Sequence, residues 1–187
     1  FNTAITFAET GAKVLVIDCD MRRPNVAKLL NVKGDKGLSN ILVGESTVDQ
    51  VLIRSEYSGL DVITAGNIPP NPTELLTSDN VSATIDALKE KYDYIFLDTP
   101  PVTIVTDAIL LSKVCDGFVV VVRQTRAEKR MLTDAVSKLR FVDAKIIGFV
   151  FNGVVVSKSG YGYYKKNYKY SKYSTCLLYT SPSPRDC

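Results

Sequence analysis

The chain has 187 residues, 45% of them hydrophobic and 23% charged, with a formal net charge of +3. That is one domain's worth of ordinary globular sequence, and so small a net charge excludes a molecule built throughout as a polyanion binder. Its cysteines (Cys19, Cys115, Cys176 and Cys187) form no C-x-x-C pair and histidine is absent, which argues against a zinc centre or disulfide framework and for a reducing compartment.

FNTAITFAET (1–10) has helical spacing and stops at Gly11, but no capping residue precedes it. The chain therefore reads as opening inside a helix, with the first strand and turn of the fold expected upstream. KVLVID (13–18) is a compact apolar run that ends in an acid, and GLDVITAG (59–66) is a second run. YDYIFLD (92–98), GFVVVV (117–122) and KIIGFVF (145–151) follow. Continuous apolar runs of this length predict strands buried on both faces, hence a parallel sheet. VTDAILLSKVC (105–115) and RAEKRMLTDAVSKLR (126–140) are the helices between the later strands; in the second, Met131, Leu132, Ala135, Val136 and Leu139 share one face. The alternation predicts an α/β fold with a doubly wound, mostly parallel sheet. No run reaches the roughly 20 apolar residues of a membrane span, and no signal peptide is visible.

Chemistry concentrates where two of these strands end. VLVIDCDMRRP (14–24) delivers Asp18 and Asp20 to the carboxyl edge of the sheet, where open α/β sheets bind ligands. Acid-x-acid places two carboxylates near one cation, and Arg22 and Arg23 follow within reach of phosphate oxygens. A polar turn after a buried strand would read the same way. YDYIFLDTPP (92–101) repeats the pattern with Asp98 and has the shape of a Walker B strand, whose terminal acid serves a magnesium shell.

Taken in order, VLVIDCDMRRP, PPNPTELL (69–76), YDYIFLDTPPVTIVTDA (92–108), GFVVVVRQTR (117–126) and a C-terminal tyrosine cluster resemble the kinase domain of the bacterial tyrosine kinases of capsule and exopolysaccharide synthesis. The resemblance runs from residue 1 to about 173. It implies a P-loop NTPase-like fold of the kind found in septum-site and partition ATPases, ATP and Mg2+ as cofactors, and protein-tyrosine kinase activity. It makes Asp18 and Asp20 the Walker A′ acids, with Asp18 the base for the tyrosine hydroxyl. Asp98 becomes the Walker B acid, and all three acids become catalytic and metal-binding. Arg22, Arg23 and Asn152 become nucleotide contacts; Asn152 matches a position that meets adenine in related ATPases, and a plain turn asparagine is the alternative. One element of the family is missing: no G-x-x-x-x-G-K-[ST] occurs in the 187 residues. The upstream E-x-x-R-x-x-R helix is missing too. The sequence thus reads as an N-terminally truncated domain, inactive as it stands.

YGYYKKNYKYSKY (161–173) holds Tyr161, Tyr163, Tyr164, Tyr168, Tyr170 and Tyr173 among lysines, and no acid occurs between Asp143 and Asp186. The resemblance makes these tyrosines phosphoacceptors, each phosphate adding roughly −1.5 to −2 charges to a basic segment. Stacking on single-stranded nucleic acid and a tail without a role are the competing readings, and nucleic acid is not the expected partner. The organisation expected is a partial kinase domain over 1–156, a flexible tyrosine-rich tail over 157–175 and a non-native or disordered segment over 176–187. Expected partners are a transmembrane activator or adaptor of the polysaccharide co-polymerase type, further copies of the chain in a ring, and a tyrosine phosphatase. Those partners place the protein in the cytoplasm at the inner face of the plasma membrane. A partition or septum-site ATPase and a non-catalytic regulatory subunit are the alternative functions.

Overall fold

A computed structural model describes residues 1–124 and 128–154. Residues 1–153 form one compact unit, and a second unit begins at Val154. The six tail tyrosines and the segments 157–175 and 176–187 lie outside the described residues.

β1 (Val14–Asp18) is the centre of the first unit, and all five of its residues are buried. It pairs in parallel with β3 (Leu60–Ile63) on one side and β4 (Tyr94–Asp98) on the other. A two-residue strand, β2 (Ile53–Arg54), adds antiparallel to β3, giving the order β2-β3-β1-β4. Side chains of a strand alternate between faces, and both faces of β1 are covered. Val14 and Val16 pack with Ala4, Ile5 and Ala8 of α1 (Asn2–Glu9). Leu15 and Ile17 pack with Leu38, Ile63, Leu88 and Leu111 on the opposite face. This double burial is why VLVID carries no alternation and why the sequence could locate it.

Five short helices follow β1 and β3: α2 (Val26–Leu29), α3 (Leu38–Leu42), α4 (Val48–Val51), α5 (Pro72–Thr77) and α6 (Asp79–Lys89). The expected helix over 105–115 is shorter and broken. It runs as α7 (Asp107–Leu110) and then tightens into a 3-10 turn over Leu111–Lys113. A last turn of this kind gives carbonyls a nearer partner where an α-helix would leave them unpaired.

β5 (Phe118–Arg123), α8 (Lys129–Phe141) and β6 (Ile146–Asn152) form a parallel pair joined through a helix. The mixed and parallel sheets with their helices bear out the α/β expectation, with one correction. Among the described residues β5 and β6 form a separate two-stranded sheet, and they are not buried on both faces. Val121, Ile147 and Phe149 are 63%, 65% and 55% exposed. A continuous apolar run predicts a strand but does not say whether both of its faces are covered. No helix among the described residues is long and apolar enough to cross a membrane.

The end of β3 is held to α3 by a close backbone approach. Leu38 and Ser39 donate N–H bonds to the carbonyls of Thr64 and Ala65 at 2.8 and 2.9 Å. A Cβ on Gly37 would stand 2.1 Å from the Thr64 carbonyl oxygen and 2.4 Å from the Gly66 nitrogen, so nothing larger than glycine fits there. Gly37→Ala should cost about 2 kcal/mol or more of stability by this overlap with backbone. Gly148→Ala, where the new Cβ meets nothing within 4 Å, should change stability by about 1 kcal/mol or less. Urea unfolding of the two variants beside the parent checks the contrast.

Candidate active site

Parallel pairing sets β1 and β4 in register through to their last residues, so that Asp18 and Asp98 are direct partners. Both follow the even positions, Val14 and Val16 on β1 and Phe96 on β4, that pack on the α1 side of the sheet, which places the two acids on one face. The chain leaving β1 stays attached to its neighbour, because the Cys19 N–H donates to the Asp98 carbonyl at 2.8 Å.

Asp18 is only 1% exposed. Its Oδ1 accepts the Asp20 N–H at 3.1 Å, and its Oδ2 accepts the N–H groups of Asn25 and Val26 at 3.2 and 3.1 Å. One carboxylate thus gathers the whole 20–26 loop beneath it and keeps a lone pair on Oδ1. Burial pushes the Asp18 carboxyl up to about 6; the Val26 N–H opposes this, and the charge of Asp98 reinforces it. Asp98 is also raised. Loss of surrounding water is the main cause, and the charge of Asp20 adds to it. Asp98 has solvent contact all the same, so its carboxylate is partly dehydrated yet open to a ligand.

Asp20 is half-buried, and its Oδ1 accepts the N–H groups of Arg22 and Arg23 at 3.2 and 2.9 Å. Among the described residues its Oδ2 takes no hydrogen bond. The two arginines part company here. Arg23 is exposed and its guanidinium makes no ion pair among the described residues. Arg22 turns away to Asp107, with Nε to Oδ2 at 2.9 Å and Nη2 to Oδ1 at 3.3 Å, and Nη2 also meets the Thr73 hydroxyl at 2.7 Å. Most of its donor fork is therefore occupied by protein. Asn152 ends β6 as the register partner of Arg123, exposed and on the other sheet; no contact joins it to the three acids among the described residues.

The structure brings Asp18, Asp20 and Asp98 together and leaves Arg23 beside them. It does not assemble a cage of three or more ligating groups among the described residues. Magnesium does not ask for one, since it keeps several waters and takes one or two carboxylates together with substrate phosphates. Mutually repelling carboxylates with lone pairs to spare, one of them open to solvent, fit such an ion. Thr73 and Asp107 were missed as individual residues. Both lie inside motifs that the sequence singles out, but nothing local marks them as partners of Arg22.

Comparison with known proteins comes to the same point. Residues 1–143 match the family model described as an AAA domain. The tyrosine-protein kinase YwqD of Bacillus subtilis is 39% identical over 164 residues, covering 87% of this chain and 69% of that protein. The putative tyrosine-protein kinase CapB of Staphylococcus aureus is 33% identical, covering 87% and 72%. The chain spans only 22% of the tyrosine-protein kinase ptk of Acinetobacter johnsonii, to which it is 34% identical. The crystal structure of the chimerical protein CapA2B2 superposes with a TM-score of 0.78 at 38% identity, covering 80% of this chain and 66% of that one. The septum site-determining protein MinD of Pyrococcus horikoshii, solved with Mg-ADP, superposes at 0.64 over 80% and 61% of the two chains. Its 22% identity makes that a likeness of fold alone.

The coupled acids should be visible in solution. In the metal-free chain Asp18 should titrate near pH 6, and Asp98→Asn should lower that midpoint by removing a repelling charge. Because the folded carboxyl lies above its ordinary 3.8, folding takes up a proton between those limits. The Asp18 contribution to stability is then fully present below pH 4 and is lost as pH rises through about 6. Carboxyl-carbon NMR titration of parent and variant checks the midpoints, and an unshifted Asp18 in Asp98→Asn contradicts the coupling.

Proposed function

We propose, because this chain belongs to the family of bacterial tyrosine-protein kinases, that its acid edge transfers the terminal phosphoryl group of ATP to a tyrosine hydroxyl. The observation that carries this reading is the register pairing of Asp18 with Asp98 at neighbouring strand ends, with Asp20 just beyond. In the transfer the phenol oxygen bonds to the γ-phosphorus as the bond from that phosphorus to the bridging oxygen breaks. ADP leaves with that electron pair, and the phenolic proton passes to a carboxylate.

Asp18 is the base in this reading, since a carboxyl raised to about 6 holds a proton near neutrality more readily than an ordinary one. Its burial means that the phenol must come in past the 20–26 loop to reach the remaining Oδ1 lone pair. Asp20 and Asp98, with Asp18 behind them, would hold Mg2+. Bound there, the ion would neutralise charge developing on the phosphate oxygens. Arg23 is free to meet a phosphate, Arg22 keeps only the part of its guanidinium that Asp107 and Thr73 leave open, and Asn152 remains a candidate adenine contact.

The tail tyrosines Tyr161, Tyr163, Tyr164, Tyr168, Tyr170 and Tyr173 are the proposed acceptors. The reading extends to autophosphorylation that regulates capsular or exopolysaccharide polymerisation and export. A transmembrane activator, a ring of further copies, a tyrosine phosphatase and a place at the inner face of the plasma membrane belong to the same proposal, supported by the resemblance. A regulatory subunit without catalysis is the competing reading.

Two experiments separate these. The 187-residue chain alone should bind MgATP only weakly, because backbone N–H groups and the lysine of a phosphate loop normally cradle the phosphates; micromolar affinity by calorimetry overturns that expectation. In a kinase that joins this chain to a phosphate loop, Asp98→Asn should reduce tyrosine phosphorylation on the order of 100-fold or more, with the fold retained by circular dichroism. Parent-like rates in that variant remove the acid edge from the chemistry.

Acceptor choice follows from what holds each phenol. Tyr92 donates its hydroxyl to Asp61 Oδ2 at 2.8 Å, and burial together with that acid raises its pKa. Tyr94 lies on β4 with its ring edge-on to Phe7 at 4.7 Å between centroids. Phosphopeptide mapping should find phosphate within 161–173 and not on Tyr92 or Tyr94. A variant with Phe at all six tail positions should lose the signal, and undiminished phosphotyrosine in it means that the tail is not the acceptor.

A further inference from the structure

Asp107 is fully buried, at 0% exposure, at the start of α7. A buried carboxylate must be paired and hydrogen-bonded to be tolerated, and here three groups do this. Arg22 gives Nε at 2.9 Å and Nη2 at 3.3 Å, and the Thr73 hydroxyl donates to Oδ1 at 3.2 Å. The two residues that meet Asp107 lie 85 and 34 positions away in sequence. They join three segments: the loop that leaves β1, the first turn of α5, and α7 beyond β4. The fork of an arginine on both oxygens of one carboxylate fixes direction as well as distance.

What this fixes is the loop that carries Asp20. The backbone N–H of Arg22 donates to Asp20 Oδ1, as does that of Arg23. A guanidinium anchored on Asp107 therefore holds its own N–H in place, and that N–H holds Asp20 Oδ1, so that Oδ2 is presented. The arrangement also keeps a cation off the acids. Arg22 lies within electrostatic reach of Asp20, yet its strongest interactions are with Asp107. Released, the same arginine could fold onto Asp20 and neutralise the cluster that a metal ion should meet.

We infer that Asp107 and Thr73 are positioning residues for phosphoryl transfer: through Arg22 they orient Asp20 and withhold the Arg22 charge from the acid cluster. This rests on the kinase reading above for its catalytic consequence, but not for its structural one.

The test uses a double variant. Arg22→Ala strands an unpaired charge at Asp107, so the 187-residue chain should melt at a lower temperature. Adding Asp107→Asn removes that charge and should recover at least half of the lost melting temperature. In the kinase with its phosphate loop, both Arg22→Ala and Arg22→Ala/Asp107→Asn should lose tenfold or more in kcat. The recovered fold should not recover the rate. If kcat returns together with the melting temperature, the network only stabilises the fold and the inference is wrong. A structural arm needs no nucleotide: the Arg23 amide and Asp20 carboxyl-carbon NMR signals of the 187-residue chain should shift in Thr73→Val as well as in the double variant. Unchanged signals in both break the link from Asp107 to Asp20, whatever the chain catalyses. Shifted signals in a chain whose parent kinase makes no phosphotyrosine would leave that link standing and reject the kinase reading instead.

Discussion

Two carboxylates are brought together by backbone hydrogen bonds that take no account of their charge. β1 and β4 pair in parallel for their whole length, and the pairing ends with Asp18 opposite Asp98. Asp18 cannot move away without disturbing the buried central strand, because Val14 to Ile17 are covered on both faces, and Asp98 is held opposite it by the β1–β4 ladder. Both carboxyls are raised, chiefly by burial, Asp18 to about 6; the charge of Asp98 adds to the shift of Asp18, and the charge of Asp20 to that of Asp98. Such a site lowers its free energy by admitting a cation or a proton. The rigid sheet thereby turns an unfavourable juxtaposition into affinity for positive charge.

The loop after β1 decides how that charge is met. Asp18 draws three backbone N–H groups onto itself, which closes the loop and accounts for its burial. Asp20 then takes the next two N–H groups on a single oxygen. Each acid is therefore held by the backbone that follows it, in the manner of Asx turns, and the D-x-D spacing makes the two turns consecutive. Met21, fully buried in the cluster that also contains Leu15 and Ile17, anchors the same loop from the opposite side of the sheet. The loop is thus pinned by apolar packing, by carboxylates and by the Arg22 fork at once.

How much of this could be read from the sequence depended on range. β1 was legible because burial on two faces leaves an unbroken apolar run; β4, whose residues are half-buried or exposed, was legible from its apolar run alone, and the terminal acids of both stood out. The Tyr92 hydroxyl bound to Asp61 and the Arg22 pair with Asp107 were not legible, since the partners lie 31 and 85 residues apart and no local pattern links them. The helices α2 to α5 have four to six residues each, too short to show a helical period. β2, with two residues, is shorter than any pattern. The exposed face of β5 and β6 escaped for another reason. Val119, Val121, Ile147 and Phe149 are as apolar as their covered neighbours, so sequence alone could not tell which face was open.

The two most deeply buried acids are treated in opposite ways. Asp107, at 0% exposure, has a formal countercharge in Arg22 and a hydroxyl donor in Thr73. Asp18, at 1%, has only backbone N–H groups, and the nearest formal charge acting on it is another carboxylate. A carboxylate whose task is to hold a loop gains from complete neutralisation. One that must exchange a proton or take a metal ion loses its use if an arginine already occupies it. The chain has two arginines side by side after the D-x-D turn, and the fold sends the first of them to Asp107. That division leaves the acid edge negative beside Arg23, whose guanidinium makes no ion pair among the described residues. The buried Asp107 is thus what draws the first arginine away from the acids at the strand ends.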